Sequence, residues 1–447
     1  MDPQSKPKVS LYFILGVLLL FIGFAVGMFL LPFVIKGDAS ARYTFMDTLV
    51  HQLKLSSMRY SMVGPLFSLP LWWISGLFRD PMAVIARYNY LLFATFLVIL
   101  FLWLRSWFDQ KFLLTFILLL AFGSMFPGHL INYYGEVFSA VFLTLGTLGL
   151  VAKKTIIGWV FLILAVLNTP ALFVAFALLV LYSTWEARRL RYLLLLPICI
   201  VLLIVEAYLR TGSLTAGFTT YLLSDHGFHT ILPYSGKGDY SYPFILGVLS
   251  ILFSFGKGLI FFCPGLLLII WVRKLILNSV ERKLLVLWFL VILGLVIAYA
   301  SWWSWYGGWY WGPRFFLFVS LPASWILARA VHAPRKSLLL VTVLLFIVTL
   351  SIWVGVNGVV FQQNTLDACT ADNYALEFMC WYVPEFSVLI RPFIAHAAFR
   401  LNDTLIMGLF ALVWLFIMVP LAREFVDKLK AAYQSHRPLV NFSEWKL

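Results

Sequence analysis

Long apolar runs recur along the whole chain, and they restrict its fold more than any other feature of the sequence. Short segments rich in Lys and Arg separate the runs. Because a helix needs about 20 apolar residues to cross the hydrocarbon core of a bilayer, runs of this length predict membrane-spanning helices. The composition agrees: 12% of the 447 residues are charged, about half the share found in soluble domains. We therefore predict an all-α polytopic integral membrane protein with a single transmembrane domain, residues 1–447.

The apolar runs predict about twelve transmembrane helices. The predicted spans lie near residues 11–35, 84–104, 112–127, 136–152, 156–168, 170–184, 192–209, 258–272, 284–300, 315–331, 337–356 and 404–421. The first of them is too long for the core of a signal peptide, so we expect it to remain as a helix. An even number of crossings places both termini on the same side of the membrane.

The basic residues indicate which side that is. About two thirds of the 33 Lys and Arg residues fall in segments that share a side with the termini. Since cytoplasmic loops carry the excess of Lys and Arg, both termini are expected in the cytoplasm. The net charge of +14 has the same origin, so nucleic acid is not an expected partner. We predict a multi-pass protein of the plasma (inner) membrane.

Four segments on the opposite, extracytoplasmic side are long enough to build a site. They are the first extracytoplasmic loop (36–83), the segments 210–257 and 301–314, and the last extracytoplasmic loop (357–403). Two apolar pieces inside these segments, 61–78 and 242–255, are too interrupted for spans and predict helices that lie at the outer interface. The basic tail, 422–447, predicts an anchor at the cytoplasmic surface.

Cysteine usage suggests one covalent link. Cys369 and Cys380 lie in the last extracytoplasmic loop, which faces an oxidising compartment, so we predict a disulfide between them. Cys199 and Cys263 lie in apolar runs and are expected to be packing residues. The sequence has no cysteine spacing typical of a zinc site, and no metal site is assigned.

Two carboxylates lie where an extracytoplasmic segment meets an apolar helix. Asp38 is in GDASARY (37–43), just after the first span, and Glu136 is in NYYGEVFSA (132–140), at the start of the fourth. Polar residues at the membrane boundary are candidates for function. The alternatives are a solvated loop acid for Asp38 and a helix-capping carboxylate for Glu136. With His129 nearby in sequence, the two acids are also candidate ligands for a divalent cation.

Cationic and aromatic residues gather in two further segments. Lys257 lies between two glycines in FSFGKGLIFFCP (253–264), where backbone N–H groups would suit a phosphate; snorkelling to the headgroups is the alternative. SWWSWYGGWYWGPRFF (301–316) holds five tryptophans and Arg314. An interfacial aromatic belt explains one or two of these tryptophans. Since arginine binds phosphate through a planar fork and aromatic rings stack on sugars, we predict a substrate site that includes Trp305, Tyr306, Trp309 and Trp311.

These motifs, in this order, resemble the GT-C superfamily of membrane glycosyltransferases. The likeness is to the branch that contains the dolichyl-phosphate-mannose–protein mannosyltransferases and the bacterial aminoarabinose lipid A transferases. Its members have a first helix, a loop that opens with GDxxxRY, and then a basic residue and prolines, as in GDASARY and MRYSMVGPLFSLPLWW (58–73). LNTPALF (167–173) is similar to a hairpin in which lysine often stands where this chain has Asn168. The resemblance covers most of residues 1–330.

The resemblance implies an enzyme that faces the extracytoplasmic side. In this family a sugar leaves a polyprenyl phosphate and is captured by an acceptor hydroxyl, with inversion at the anomeric carbon. Carried over, Asp38 is the general base, and Glu136 supports it or orients the acceptor. The cations expected near the leaving phosphate are Arg42, Arg59, Lys257 and Arg314.

The same resemblance sets the expected cofactors and partners. No cofactor is expected to be required, and a divalent cation is left open because the family is not uniform on this point. The expected partners are a polyprenyl-phosphate-linked sugar and a lipid, glycan or protein acceptor of the cell envelope.

Two other functions are consistent with the sequence. A lipid or amphiphile transporter, or flippase, would place charges and interrupted helices at the bilayer midplane, often in two matching halves. In this chain the notable polar residues lie toward the outside, and no matching halves are visible. A non-catalytic GT-C-like subunit would show activity only with a partner protein.

Overall fold

The computed structural model describes residues 11–214, 240–275, 278–308, 310–334, 336–361, 375–395 and 398–434. Within these ranges the regular elements are helices, which confirms the predicted all-α class. Eight helical segments are long and apolar enough to cross a membrane: Leu11–Leu30, Pro81–Leu104, Pro170–Ala187, Leu190–Thr211, Ser279–Ala300, Arg314–Val331, Leu338–Val360 and Leu401–Gln434. These apolar helices indicate a multi-pass membrane protein.

The first part of the chain builds helices α1 to α12. They are α1 (Leu11–Leu30), α2 (Asp38–Gln52), α3 (Val63–Leu66), α4 (Leu69–Ser75), α5 (Pro81–Ala86), α6 (Tyr88–Leu104), α7 (Gln110–Phe122), α8 (Phe126–Leu130), α9 (Glu136–Val151), α10 (Thr155–Asn168), α11 (Phe173–Ala187) and α12 (Leu195–Thr211). The first N–H groups of a helix have no intrahelical partner, and a side chain before the helix can accept hydrogen bonds from them. Asp109, for example, accepts hydrogen bonds from the backbone of Lys111 and Phe112 at the start of α7.

The second part builds helices α13 to α20. They are α13 (Phe244–Phe253), α14 (Leu259–Phe262), α15 (Ile269–Val272), α16 (Ser279–Ala300), α17 (Ser320–Val331), α18 (Leu338–Val360), α19 (Met379–Tyr382) and α20 (Leu401–Gln434). A 3₁₀ segment, Arg314–Val319, leads directly into α17. The predicted tail 422–447 begins inside α20, and its residues from 435 onward lie outside the described ranges.

Eight of the twelve predicted spans correspond to helices of spanning length. Three others, near 112–127, 136–152 and 156–168, correspond to the shorter apolar helices α7, α9 and α10. The last, near 258–272, is broken into α14, a 3₁₀ segment and α15. Pro264 has no N–H to donate and its ring excludes a continuous α-helix, which the hydrophobic run alone did not reveal. The number of crossings therefore stays a prediction.

The two pieces predicted to lie at the outer interface also form helices. Residues 61–78 fold into the short helices α3 and α4, and 242–255 folds into α13. Prolines and glycines in the first piece keep its two helices short, because neither residue type favours a helix interior.

The centre of the bundle is built from α9 and the segment Arg314–Val331. Every residue of α9 from Val137 to Leu150 is buried. α9 packs closely on α10 because glycines face each other: a Cβ on Gly149 would lie 2.7 Å from the Cα of Gly158. Small residues permit such close packing of membrane helices. The first residues of these two central segments are therefore held firmly in place.

A buried ion pair joins the start of α16 to the end of α17. Glu281 is buried, and its carboxylate accepts hydrogen bonds from the Trp325 indole at 2.9 Å and from the Arg329 Nε at 2.9 Å. The Arg329 Nη2 lies 2.7 Å from the second carboxylate oxygen. A two-point contact of this kind is strong because both partners are charged and oriented.

Glu281→Ala should therefore destabilise the fold. The change leaves the Arg329 guanidinium without its acid and the Trp325 N–H without an acceptor. We expect the free energy of unfolding to fall by about 3 kcal/mol, the lower end for a broken buried pair because Arg329 is partly exposed. Unfolding by denaturant in mixed micelles measures it.

The control is Lys283→Ala, which breaks the solvent-exposed pair of Lys283 with Glu186. Exposed pairs contribute about 0–1 kcal/mol. Equal losses in the two variants would contradict a special role for the buried pair.

Candidate functional site

Three charged side chains from distant parts of the chain meet at one end of the bundle. Asp38 is the first residue of α2, Glu136 is the first of α9, and Arg314 is the first of the segment that leads into α17. The Arg314 Nη1 lies 2.9 Å from the Asp38 Oδ2 and 3.5 Å from the Glu136 Oε1. One guanidinium therefore bridges two carboxylates.

The position of each charge at a helix start has electrostatic consequences. A helix dipole stabilises a carboxylate at the N-terminus and disfavours a cation there, so Arg314 needs other support. Its Nε donates to the Gly307 carbonyl at 2.6 Å, and the Tyr310 ring lies 4.3 Å from its guanidinium carbon. The two carboxylates then supply the counter-charge.

Asp38 is oriented through both of its carboxylate oxygens. The Tyr60 hydroxyl donates to its Oδ1 at 2.5 Å, while Arg314 donates to its Oδ2. Burial opposes ionisation of Asp38, but Arg314, Tyr60 and Arg42 together outweigh burial, so the pKa of Asp38 lies below its ordinary value. The carboxylate is therefore ionised at neutral pH.

Hydrogen bonds to backbone carbonyls hold the segments before the two carboxylates side by side. The Val34 N–H donates to the Ile131 carbonyl at 3.0 Å, and the Tyr134 hydroxyl donates to the Lys36 carbonyl at 3.2 Å. The buried Asn89 amide donates to the Tyr134 carbonyl at 2.8 Å. These bonds set the spacing between the starts of α2 and α9.

Gly37 makes the sharp entry into α2 possible. Its φ is +59°, in the left-handed region that favours glycine. A Cβ at this position would also overlap the Tyr310 hydroxyl. The GD pair of the sequence motif is therefore needed for a geometric reason: glycine lets the chain turn and Asp38 follows at the helix start.

Arg42 is buried one turn after Asp38 and has weak partners. Its Nη1 lies 3.4 Å from the Ser61 carbonyl and 3.5 Å from the Asn168 Oδ1, and its Nε has no partner. Within the described ranges it makes no ion pair. The Asn168 Oδ1 already accepts the Gly64 N–H at 3.1 Å, so it is a shared acceptor.

Two charged residues that the sequence patterns did not single out hold the chain around Tyr60. The Glu206 Oε1 accepts the Met62 N–H at 3.0 Å, and the Arg210 Nη1 donates to the Arg59 carbonyl at 2.9 Å. Glu206 and Arg210 also pair with each other at 3.2 Å, one turn apart on α12. The sequence does hold a signal for this pair: two opposite charges four residues apart inside an apolar run.

A cavity of about 910 Å³ opens beside this polar cluster. Its lining includes the polar residues Asp38, Arg42, Arg59, Tyr60, Glu136 and Arg314 and the apolar residues Leu143, Ile200, Leu203, Leu295, Ile297 and Ala298. Leu143 lies about two turns after Glu136 on α9, and Ile200 lies nearly three turns before Arg210 on α12, so the two groups define a polar end and an apolar end. Ile200 is 43% exposed and Ile297 is 42% exposed, on the outer faces of α12 and α16. The apolar end therefore reaches the surface that faces lipid if these helices cross the membrane.

The structure brings five of the predicted site residues to this cavity. They are Asp38, Arg42, Arg59, Glu136 and Arg314. Trp302 and Trp303, from the same aromatic segment as the predicted residues, also line it.

Four other predicted residues are buried away from the cavity. They are Lys257, Trp305, Tyr306 and Trp311. The Tyr306 hydroxyl donates to Glu377 at 3.1 Å, and the Trp311 indole donates to Asn357 at 2.7 Å. Trp309 lies outside the described residues. The aromatic segment thus packs most of its described rings inside the protein.

The predicted disulfide involves a residue that the structure does not describe. Cys380 is buried and takes part in a disulfide, and Cys199 and Cys263 are free and buried. Cys369 lies outside the described residues, so its pairing with Cys380 stays a prediction.

His129, considered above with the two acids, points elsewhere. It is buried against the Trp311 ring, with 5.7 Å between the ring centroids, and does not line the cavity. Burial, with Arg314 and Lys257 nearby, lowers the pKa of His129 to about 3, so the ring is neutral. Within the described part of the chain, no three His, Cys, Asp or Glu side chains are close enough to share a metal ion.

The site combines an oriented, ionised carboxylate, a second carboxylate and buried guanidinium groups in one cavity. Such an arrangement can accept a proton and can bind an anion. No protein-family model, curated protein or solved structure matches the chain, so the functional argument rests on this geometry.

Gly37→Ala should disturb the site. An alanine at φ +59° and ψ −127° adopts a sparsely populated backbone conformation, which costs about 1–3 kcal/mol, and its Cβ would displace Tyr310 from Arg314. We expect the free energy of unfolding in detergent to fall by at least this amount. Gly76→Ala is the control, because Gly76 is exposed, has a negative φ, and an added Cβ there would meet no atom within 4 Å. An unchanged stability for Gly37→Ala would contradict the strained turn.

Proposed function

We propose that this protein transfers a sugar from a polyprenyl-phosphate carrier to an acceptor hydroxyl, with inversion, at the extracytoplasmic face of the plasma (inner) membrane. The observation that carries the proposal is the division of the cavity into a charged end and an apolar end that reaches the outer faces of α12 and α16. A polyprenyl phosphate likewise has a charged head and an apolar tail. Its head and its tail would each find a surface of matching polarity.

Arg42 is the best candidate for the phosphate. A buried charge is costly unless it is paired, and Arg42 lines the cavity with an unpartnered Nε and no carboxylate partner within the described ranges. A phosphate would supply both counter-charge and hydrogen-bond acceptors. Arg314, by contrast, already contacts two carboxylates. Arg59 also lines the cavity and could contribute a second positive charge.

Asp38 is the proposed general base. The acceptor oxygen bonds to the anomeric carbon on one face while the bond from that carbon to the phosphate oxygen breaks on the other. The acceptor proton moves to Asp38, and the electron pair of the broken bond stays on the phosphate, whose negative charge increases. Tyr60 and Arg314 orient the carboxylate, so it needs no rearrangement to receive the proton.

Glu136 and two tryptophans complete the proposed site. Glu136 lines the cavity and contacts the same Arg314 Nη1 as Asp38, at the longer distance of 3.5 Å, which leaves the carboxylate able to orient an acceptor hydroxyl. Trp302 and Trp303 line the same cavity and offer ring faces to a sugar. This assignment replaces the more buried aromatic residues predicted from sequence as the candidates for sugar contact.

Asp38→Asn tests the proposed base. An amide cannot accept the proton, so we expect the rate of transfer to fall by about 10²–10⁴-fold, the usual contribution of general base catalysis. The assay uses purified protein in nanodiscs, a panel of polyprenyl-phosphate sugars, a mixture of cell-envelope lipids, glycans and proteins as acceptors, and detection of the released carrier phosphate. Asp47→Asn is the matched control, because Asp47 is an exposed acid on the same helix.

Turnover by Asp38→Asn at the wild-type rate would reject Asp38 as the base. Wild-type protein that moves labelled polyprenyl phosphate across vesicles, yet releases no carrier from any donor, would support the transporter instead. Release of the carrier phosphate only in the presence of a second protein would support the non-catalytic GT-C-like subunit.

Arg42→Ala tests the phosphate contact. A hydrogen bond to a charged group contributes about 1.5–3 kcal/mol, so we expect the affinity for polyprenyl phosphate to fall by about 10- to 100-fold. The stabilisation of the protein by this lipid, followed in thermal unfolding, reports the affinity. Arg79→Ala is the control, because Arg79 is an exposed arginine of the same loop. Equal affinities in the two variants would remove Arg42 from the phosphate site.

A further inference from the structure

Lys257 is buried, and all three of its N–H bonds are used. The residue is 1% exposed. Its Nζ donates to the carbonyl oxygens of Gly308 at 3.2 Å and Gly312 at 2.8 Å, and to that of Tyr310. An ammonium with every donor taken has none left for a phosphate, and Lys257 does not line the cavity. Its role therefore differs from the phosphate contact predicted from sequence.

Glycines allow the loop to present its carbonyls to one point. Gly308 has a φ of +75° and Gly312 a φ of +64°, a region that residues with side chains rarely adopt. The carbonyls of the alternate residues 308, 310 and 312 converge on the Lys257 nitrogen as a result. Converging backbone carbonyls are a coordination that free monovalent cations find in proteins. Here the cation is part of the chain.

The three carbonyls determine the charge state of the amine. Burial lowers the pKa of Lys257, and Arg314 lowers it further. A neutral amine, however, has only two N–H bonds and would lose one of the three contacts to the carbonyl oxygens, and hydrogen bonds from a charged donor are the stronger ones. The Trp381 ring, 5.1 Å from the Nζ, favours the cation as well. These contacts favour the ammonium form.

The turn that carries Lys257 is fixed to the last extracytoplasmic segment. The Gly256 N–H donates to the Trp381 carbonyl at 3.0 Å, and the Ser387 hydroxyl donates to the Phe255 carbonyl at 2.7 Å. These hydrogen bonds therefore fix the position of the Lys257 ammonium, to which the carbonyls of residues 308, 310 and 312 bind.

The same loop holds Arg314 on its other side. The Arg314 Nε donates to the Gly307 carbonyl, its backbone N–H donates to the Gly312 carbonyl at 3.1 Å, and its guanidinium lies on the Tyr310 ring. Gly312 and Tyr310 thus contact both cations. Any change in the carbonyl positions around Lys257 would move the support of Arg314, and with it the contact to the two carboxylates.

We propose that Lys257 is a positioning residue: its ammonium occupies a monovalent-cation site formed by the carbonyls of residues 308, 310 and 312, and it thereby fixes residues 310–314 and the placement of Arg314. The inference rests on the proposed function only for its effect on transfer. The ordering of the loop is independent of the reaction.

Hydrogen exchange of the ligand-free protein tests the ordering. In Lys257→Ala we expect peptides that cover 301–314 to exchange at least about tenfold faster, as expected when hydrogen bonds to a charged group are lost. Peptides from α9 should exchange at the wild-type rate. Lys257→Met keeps the apolar stem and removes the donors, so it should show the same local change if the alanine variant folds poorly. Lys283→Ala is the matched control at a partly exposed lysine.

Chemical rescue separates a cation site from simple packing. Lys257→Ala lacks the atoms of n-propylammonium, so this ion should restore slow exchange in 301–314 to within about twofold of wild type. Tetramethylammonium carries the charge without N–H donors, and 1-propanol carries the length without the charge; neither should rescue. If transfer is observed for the wild type, n-propylammonium should also restore part of the transfer lost in Lys257→Ala.

Three outcomes would overturn the proposal. They are unchanged exchange in both Lys257 variants, equal acceleration across the whole chain, and rescue by 1-propanol as effective as by n-propylammonium. A wild-type protein without transferase activity would reject the proposed function and leave this result standing, because the exchange experiment contains no donor.

Discussion

The structure depends on one guanidinium held between two carboxylates. Arg314 and Asp38 are 276 residues apart in the chain, yet their contact, with Glu136 at the same Arg314 Nη1, joins the starts of three helical segments. Two of these helices form the most buried part of the bundle, so the charges cannot drift apart without disturbing the core. The pairing also relieves the unfavourable position of an arginine at the N-terminal end of a helix. The contacts that stabilise the fold at this point are therefore the same contacts that set the geometry of the site.

Three other buried charges near the site, Glu206, Arg210 and Lys257, follow a common rule. Each is surrounded by enough partners to offset the loss of water: Glu206 and Arg210 bind each other and the backbone, and Lys257 binds three carbonyls. Arg42 departs from the rule, since its contacts are long and its Nε has no partner. An under-satisfied guanidinium in a cavity wall is a place where a ligand gains more from binding than at a saturated one.

Local patterns of the sequence predicted the helices and the boundary charges, because these depend on residues close together in the chain. Asp38, Glu136 and Arg314 could be named as polar residues at the ends of apolar runs, and their motif order suggested one site. The direction in which the Lys257 side chain points could not be predicted from the sequence, because it depends on glycines with positive φ in a loop more than 50 residues away. Sequence spacing also gave no reason to prefer Trp302 over Trp305 at the cavity. That choice depends on three-dimensional packing.

The open apolar end of the cavity has a consequence for how a ligand arrives. Ile200 and Ile297 lie on the outer faces of two helices of spanning length, so the proposed lipid substrate would approach sideways, without leaving the bilayer, if these helices cross it. Its arrival then depends on two-dimensional diffusion and on its mole fraction among the surrounding lipids. Bilayer composition and fluidity, more than the concentration in water, would set how often the polar end is occupied.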